Sequence, residues 1–418
     1  LKNYRQIGMP LPQSKTVAIT LLVLLSFAPR FWNLDGLADV VFDEVYYPPF
    51  AQNYLQGREF FDAHPPLGKY LIALGIKLFG YQPWGYRCIT ALGGALIPLV
   101  VYWFVKLWSK QGFLAWLGGM FTALDGLLLV ESRYGLINIF IVLFGLCSQG
   151  CFLSAIQAQK PSARGLWMVA GGILLGASIS VKWTGLGYLL AAIAMVVVSR
   201  YYHQKSLPWH QLLLGLCLIP AVFYLLQWLP HLLIHPTASL IKLHAQIFNF
   251  HQNLGGNEPL LSHPYCSPWW TWALLIRGVA YFFEFRDLGI VYVNGMGNPL
   301  LYWFSAGAIL YALGRPKLHR RTQGLSLYLT LSFACNLLPW MFAKRCTFLY
   351  HYMPASVFAF ITLALIAHLC WHQETLRLAG IIITTGVAIA FILWLPVYIG
   401  LPIPPHYWRM IIWMPTWI

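Results

Sequence analysis

Charge is scarce in this 418-residue chain, where Asp, Glu, Lys and Arg make up 9% of residues and hydrophobic types 59%. Soluble domains carry about a quarter charged residues, so a water-soluble globular protein is excluded and an integral membrane protein is expected. Acids are the rarer sign, 12 against 27 Lys and Arg, for a formal net charge of +15. That excess does not point to nucleic acid, because the cations lie scattered between apolar runs and no RNP, zinc-finger or basic-helix pattern accompanies them. Anionic lipid headgroups are the expected contact.

Other absences narrow the chemistry. The eight cysteines lie singly, with no C-x-x-C and no metal-ligand spacing, so no resident metal is expected. Cys147 and Cys151 share a helix face inside an apolar run. Cys266 and Cys346 both fall in segments read as facing an oxidising compartment, which leaves a disulfide between them open. There is no Walker sequence, no G-x-G-x-x-G, no D-x-D pair and no soluble stretch large enough to hold a nucleotide. A phosphate bound here would then belong to a substrate resident in the membrane. Internal repeats and low-complexity segments are also missing.

What the chain has is long apolar runs. Taking a span as about 20 residues, eleven helices are expected, near 15–33, 84–108, 112–130, 134–157, 166–182, 184–202, 209–231, 298–314, 323–342, 348–372 and 376–400. The run Thr16 to Ala28, after Lys2, Arg5 and Lys15, resembles a signal sequence. Pro29-Arg30-Phe31-Trp32 follows in place of a small-residue cleavage site, so a retained first span is expected. Leu67 to Gly80 is too short to cross and carries Lys69 and Lys77, so it is read as a helix lying at the interface. His235 to Asn253 and Trp269 to Phe285 are read the same way.

Orientation follows from the short loops. Lys106 and Lys110, Lys160 and Arg164, Arg200 and Lys205, the cluster Arg315, Lys317, Arg320 and Arg321, and Arg377 fall in alternate loops, on the side of the basic N-terminus. The acids gather on the other side: Asp35, Asp39, Asp43, Glu44, Glu59, Asp62, Asp125, Glu131, Glu258, Glu284 and Asp287, with Glu374 alone inside. The N-terminus is therefore expected in the cytoplasm and the chemistry on the exoplasmic, periplasmic face of the plasma (inner) membrane. Two loops there are long, about 34–83 and 232–297, and long loops in compact domains tend to carry function. No separate soluble domain is expected. Residues 1–418 read as one polytopic unit.

The first of these loops holds Phe42 to Lys69, FDEVYYPPFAQNYLQGREFFDAHPPLGK. Asp43 and Glu44 are adjacent carboxylates, and Asp62, His64 and Lys69 follow within the same loop, so acid, base and cation are at hand for proton transfer. The plainer alternative is a solvated loop. Cations also sit at outward span ends: Arg87, Arg133, Lys182 and the Lys344-Arg345 pair. Each alone reads equally well as snorkelling toward headgroups, but together they would face the acidic loop as a pocket for a phosphate. The Trp269-Trp270-x-Trp272 stretch is read as an anchor in the interfacial aromatic belt.

Phe42-Asp43-Glu44 followed by Phe61-Asp62-Ala63-His64-Pro65-Pro66-Leu67-Gly68-Lys69 resembles the first exoplasmic loop of the protein O-mannosyltransferases. Tyr86-Arg87, Ser132-Arg133 with the following LINIFIVLF, Lys182-Trp183-Thr184-Gly185, Ser262-His263-Pro264-Tyr265 and Phe348 to Pro354 agree in the same order, so the resemblance covers nearly the whole chain. It implies an all-α C-type glycosyltransferase fold, a polyprenyl-phosphate mannose donor and a Ser or Thr hydroxyl on a translocated protein as acceptor. No cofactor is implied beyond that donor. Asp43 would be the catalytic base and Glu44 its neighbour in the site, with Asp62 and His64 on the acceptor side of the loop. Arg87 matches the arginine that supports the acidic pair, and Arg87, Arg133, Lys182, Arg345 and Tyr350 would surround the donor phosphate. The second long loop is too short for the β-trefoil module of eukaryotic members, which implies a bacterial-type member. Where the family commonly has an acid in a stretch like LLD, this chain has Asn138 in Leu136-Ile137-Asn138.

The reaction so implied is a direct, inverting displacement at the anomeric carbon. Competing readings are a relative that glycosylates a lipid or an envelope glycan, a transporter, and a catalytically idle subunit. A transporter calls for ionisable groups near mid-bilayer on several spans, whereas here the charges crowd at one end.

Overall fold

The computed structural model describes residues 15–204, 207–253, 263–314 and 322–417. Lys2, Arg5, Lys205, Glu258, Ser262, Arg315, Lys317, Arg320 and Arg321 of the sequence reading lie outside them. The chain is mostly helical: α1 Lys15–Phe31, α2 Tyr47–Gln56, α3 Leu67–Phe79, α4 Pro83–Ser109, α5 Gly112–Ala123, α6 Gly126–Arg133, α7 Asn138–Gln157, α8 Pro161–Val181 and α9 Leu186–His203. After Trp209–Ile234 (α10, with a π-helical turn at Leu214–Leu218) come α11 Leu240–Asn253, α12 Pro299–Gly314, α13 Gln323–Leu337, α14 Met353–Trp371, α15 Arg377–Tyr398 and α16 Pro405–Ile411. Each of the eleven expected spans is occupied by helix. Among the described residues, eight segments are long and apolar enough to cross a membrane, or nine if α5 and α6 count as one bent span. The protein is an integral membrane protein on that ground.

Two helices form the centre. The apolar window of α7 is 89% buried and that of Leu349–Trp371 83%, whereas α10 buries 17% and Glu374–Tyr398 28%. The last two expose leucines and isoleucines on most sides, as helices at a lipid boundary do. Without water to drive helices together, packing relies on close approach and interhelical hydrogen bonds. At Gly145 a Cβ would come within 2.2 Å of the Tyr188 ring, so only glycine lets α7 and α9 meet there. Beside it the buried Gln149 side chain donates to the Tyr188 carbonyl (2.9 Å) and accepts from the Tyr328 hydroxyl (3.0 Å).

Two sequence expectations are corrected. The run 112–130 is not one straight helix, because α5 and α6 meet at 58°. Asp125 causes the break: its carboxylate caps α6 by accepting from Leu128 N (2.9 Å), and Asn298 bonds the freed carbonyl of Leu124 (3.2 Å). The bend swings α6 and its Glu131 inward, beneath the first long loop. Nor is Trp269–Phe285 an interfacial helix, or the fold purely α. A 3-10 turn at Trp269–Leu274 precedes β1 (Val279–Arg286), which turns at Asp287-Leu288 into β2 (Gly289–Gly295); β3 (Pro402–Ile403) completes a sheet ordered β1-β2-β3. The register runs from Val279↔Gly295 to Arg286↔Gly289, antiparallel, with a bulge between Ala280 and Phe282. Alternate β-branched and aromatic side chains suit such a ladder better than a helix.

The helical readings of Leu67 to Gly80 and of the segment before Asn253 do match, as α3 and α11. Cys266 and Cys346, left open from sequence, form a disulfide with Cα atoms 5.2 Å apart. It joins the second long loop to the segment between α13 and α14. Ser267 N and Thr347 O add a 2.8 Å hydrogen bond alongside.

Candidate active site

The first long loop is fastened before it can do anything chemical. Phe42–Val45 forms one 3-10 turn, and Glu44 in it is 3% exposed. Its carboxylate accepts from Val41 N (3.0 Å), from Gly135 N at the α6–α7 junction (2.7 Å), and twice from Arg87 of α4, at 2.7 Å each. The rest of the Arg87 fork donates to the carbonyls of Leu34 (3.2 Å), Leu37 (2.6 Å) and Asp39 (3.0 Å). All five of its N–H groups are thus used within the protein. In this arrangement each Arg87 N–H points to an acceptor of the protein itself.

Arg133 is turned largely toward the protein as well. Its guanidinium reaches back to α1, donating to Pro29 O (2.7 Å), Trp32 O (2.8 Å) and Asn33 O (3.2 Å). A cation over the last carbonyls of a helix satisfies groups the helix leaves open. Lys69 likewise forms an ion pair with Asp62 and donates to His64 O (2.9 Å) and Pro65 O (2.6 Å), which folds the His-Pro-Pro turn around its own ammonium.

What remains free gathers around Lys182. This residue occupies the gap between α8, ending at Val181, and a 3-10 turn at Trp183–Gly185 that leads into α9, and it is 6% exposed. Its ammonium makes no hydrogen bond or ion pair among the described residues. Its ammonium lies 5.9 Å from the centre of the Tyr47 ring and 5.7 Å from that of Tyr350. The charges that reach it are Asp43, Glu131, Arg345 and Asp62. Burial pushes its pKa down to about 8, against the pull of Asp43 and Glu131.

Asp43 follows Phe42, whose φ of 50° is left-handed backbone for a bulky side chain. Strain of that kind persists only where the surroundings impose it, and here the Phe42 ring is stacked on Tyr281 with centroids 4.1 Å apart. Nothing among the described residues donates to the Asp43 carboxylate. Burial pushes it up to about 6, the Lys182 ammonium pulling the other way and Asp62 adding to the rise. His64 stands nearby, 5.3 Å from the His251 ring, and is held well below the usual imidazole range by burial and by Lys182 and Lys69. Arg345, one residue before the disulfide, has no hydrogen-bond or ion-pair partner among the described residues, and burial lowers its pKa.

A small cleft opens beside Lys182, walled by Asn138, Ile141, Thr184, Trp340, Tyr350, His351, Met353 and Pro354. Of the expected site residues, the structure therefore brings Asp43, Asp62, His64, Lys182, Arg345 and Tyr350 into one neighbourhood. Glu44, Arg87 and Arg133 form the frame behind it. Glu131, Tyr281, His251 and His351 were not singled out from sequence. Glu131 had a signal, a carboxylate within the apolar run GLLLVESR, where a buried charge calls for a partner. A carboxylate without a donor, a buried ammonium without an acceptor and an adjoining cleft can together take a proton and hold an anion.

The sequence family described as dolichyl-phosphate-mannose-protein mannosyltransferase matches residues 20–85 and 83–235. The C-terminal four TMM region of protein-O-mannosyltransferase matches 236–417. A polyprenol-phosphate-mannose–protein mannosyltransferase of Mycobacterium tuberculosis is 26% identical over 477 residues, spanning 95% of this chain and 91% of that protein. In fold, the chain is similar to the S. cerevisiae protein O-mannosyltransferase Pmt1-Pmt2 complex bound to the sugar donor, with TM-score 0.84, 14% identity and coverage of 96% of this chain and 92% of that one. ArnT from Cupriavidus metallidurans bound to undecaprenyl phosphate follows at TM-score 0.61 and 16% identity, covering 93% and 75%.

Proposed function

Because the chain belongs to the dolichyl-phosphate-mannose-protein mannosyltransferase family, we propose that it moves mannose from a polyprenyl-phosphate carrier to Ser or Thr hydroxyls of translocated proteins. The observation that carries the mechanism is the unpaired Asp43 carboxylate beside the buried, unpaired Lys182 ammonium. The acceptor oxygen attacks the anomeric carbon as the bond from that carbon to the phosphate oxygen breaks. The electron pair leaves on the phosphate, the hydroxyl proton passes to Asp43, and the configuration inverts.

Negative charge grows on the leaving phosphate as this happens, and cations fixed in advance stabilise it more in the transition state than in the ground state. Lys182 and Arg345 fill that role, with Tyr350 closing the cleft beside them. Phosphate leaves readily, so neither a metal nor a separate acid enters the scheme. Glu44 and Arg87 act as positioning residues, since their hydrogen bonds hold the 3-10 turn that presents Asp43, and Arg133 fixes the end of α1 from which that loop departs. Asp62 and His64 line the acceptor side.

The whole chain forms one polytopic domain in this reading, crossing the plasma (inner) membrane eleven times with its N-terminus in the cytoplasm. The site faces the exoplasmic side, where translocated acceptors emerge. α3 and α11 lie at that interface; Ile241, 82% exposed on α11, suits contact with acyl chains.

Purified protein in detergent, with chelator present, tests the proposal. Labelled polyprenyl-phosphate mannose and a Ser/Thr-rich peptide should give a mannosyl peptide of inverted anomeric configuration, and nucleotide mannose should give none. Transfer from nucleotide mannose, or label appearing only in glycolipid when membranes supply the acceptors, would contradict it.

A further inference from the structure

The cleft beside Lys182 has one wall whose hydrogen-bonding polarity is fixed from behind. Asn138, the first residue of α7, is 5% exposed and lines the cleft with Lys182, Thr184 and Tyr350. Its amide nitrogen donates to Glu131 Oε2 at 3.1 Å. Glu131 is fully buried, and its other oxygen accepts from the hydroxyl of Tyr281, whose ring is stacked on Phe42 next to Asp43. Both Glu131 oxygens are accepting in this arrangement, one from the Asn138 nitrogen and one from Tyr281, and this sets which end of the Asn138 amide faces Glu131. The amide carbonyl is turned to the other side, and among the described residues it accepts from nothing. A carbonyl at a cleft wall, held against flipping and lacking a donor, is suited to a hydroxyl.

We infer that Asn138 reads one hydroxyl of the donor's sugar by accepting its proton in a hydrogen bond, with Glu131 and Tyr281 as the positioning residues that hold the amide. The inference rests on the proposed function and names the part of the site that selects the hexose. Its chemistry is a neutral acceptor, which rewards a hydroxyl and penalises a hydrogen in its place, because a buried carbonyl without a donor costs free energy.

The test compares polyprenyl-phosphate mannose with its 2-, 3-, 4- and 6-deoxy analogues. In the natural protein, kcat/KM should fall about tenfold or more for one analogue beyond the others. With Asn138→Ala the penalty for that analogue should shrink to less than about threefold, the intact donor having become the poorer substrate. Glu131→Gln supplies a second, isosteric variant. Its amide can donate to the Asn138 carbonyl and so release the fixed polarity, and the same loss of discrimination is expected while Asn138 stays in place. A merely structural role would slow all five donors alike. Unchanged penalties in both folded variants, or equal use of all four analogues by the natural protein, would overturn the inference. Failure of the natural protein to use intact polyprenyl-phosphate mannose at all would remove the proposed function as well.

Discussion

Glu44 and Arg87 meet as a bidentate ion pair, 2.7 Å at both contacts, with both side chains almost wholly buried. The pair ties the 3-10 turn carrying Asp43 to the start of α4, and Gly135 N ties the same carboxylate to the α6–α7 junction. Removing one partner leaves a buried charge, which costs about 3–5 kcal/mol in such settings. Arg87→Ala and Glu44→Ala should therefore lower the melting temperature of the detergent-solubilised protein clearly. Arg87→Lys should rescue little, since an ammonium cannot serve five acceptors arranged around a planar fork.

The pH dependence has a stated sign on each side. Asp43 must be ionised to take a proton, and burial has pushed it up to about 6, so kcat/KM should rise as pH increases through about 6. Lys182 must be protonated to hold phosphate, and burial has pushed it down to about 8, so kcat/KM should fall above about 8. The two groups interact, and the limbs of the bell belong to the pair. Lys182→Arg should move the alkaline limb beyond the measurable range, because guanidinium stays charged. An alkaline limb unchanged by Lys182→Arg would contradict the phosphate role.

The Cys266–Cys346 disulfide closes a loop of 80 residues and lies next to Arg345. A cross-link over such a length is worth about 2–4 kcal/mol. Reduction, or Cys266→Ser, should lower the melting temperature and also raise KM for the lipid donor severalfold as Arg345 loses its fixed position. Melting curves and donor titrations with and without reductant check both effects, and a KM insensitive to reduction would separate Arg345 from donor binding.

Much of the fold was readable because hydropathy marks helices in a membrane protein: helix lies along the expected stretches, broken at Asp125 in one of them, and eight or nine among the described residues are long and apolar enough to cross. The β-hairpin was missed for a local reason. VAYFFEFR is apolar and aromatic at most positions, and with the tryptophans before it the stretch passes for an interfacial helix. The better signal was the Asp287-Leu288-Gly289 turn between segments of strand-forming residues. Asp125, an acid preceding an apolar run, could likewise have been read as a helix cap that breaks a span.

Residue types were a weaker guide to roles. Arg87, Arg133 and Lys182 look equivalent in sequence, as cations at outward span ends. Arg87 is consumed by Glu44 and three carbonyls, and the terminal nitrogens of Arg133 are turned to the end of α1, about 100 residues earlier in the chain. Only the folded arrangement separates them from Lys182. The pairing of Asn138 with Glu131 also depends on folding, since the break at Asp125 and the α6–α7 turn bring residues seven apart into hydrogen-bonding distance.

The central claim is that Asp43 is the base. In a protein that elutes and melts as the natural one does, Asp43→Asn should reduce transfer from polyprenyl-phosphate mannose to peptide by about a hundredfold or more, the range for a lost general base, while donor binding persists through Lys182. Near-normal transfer by that folded variant would contradict the account.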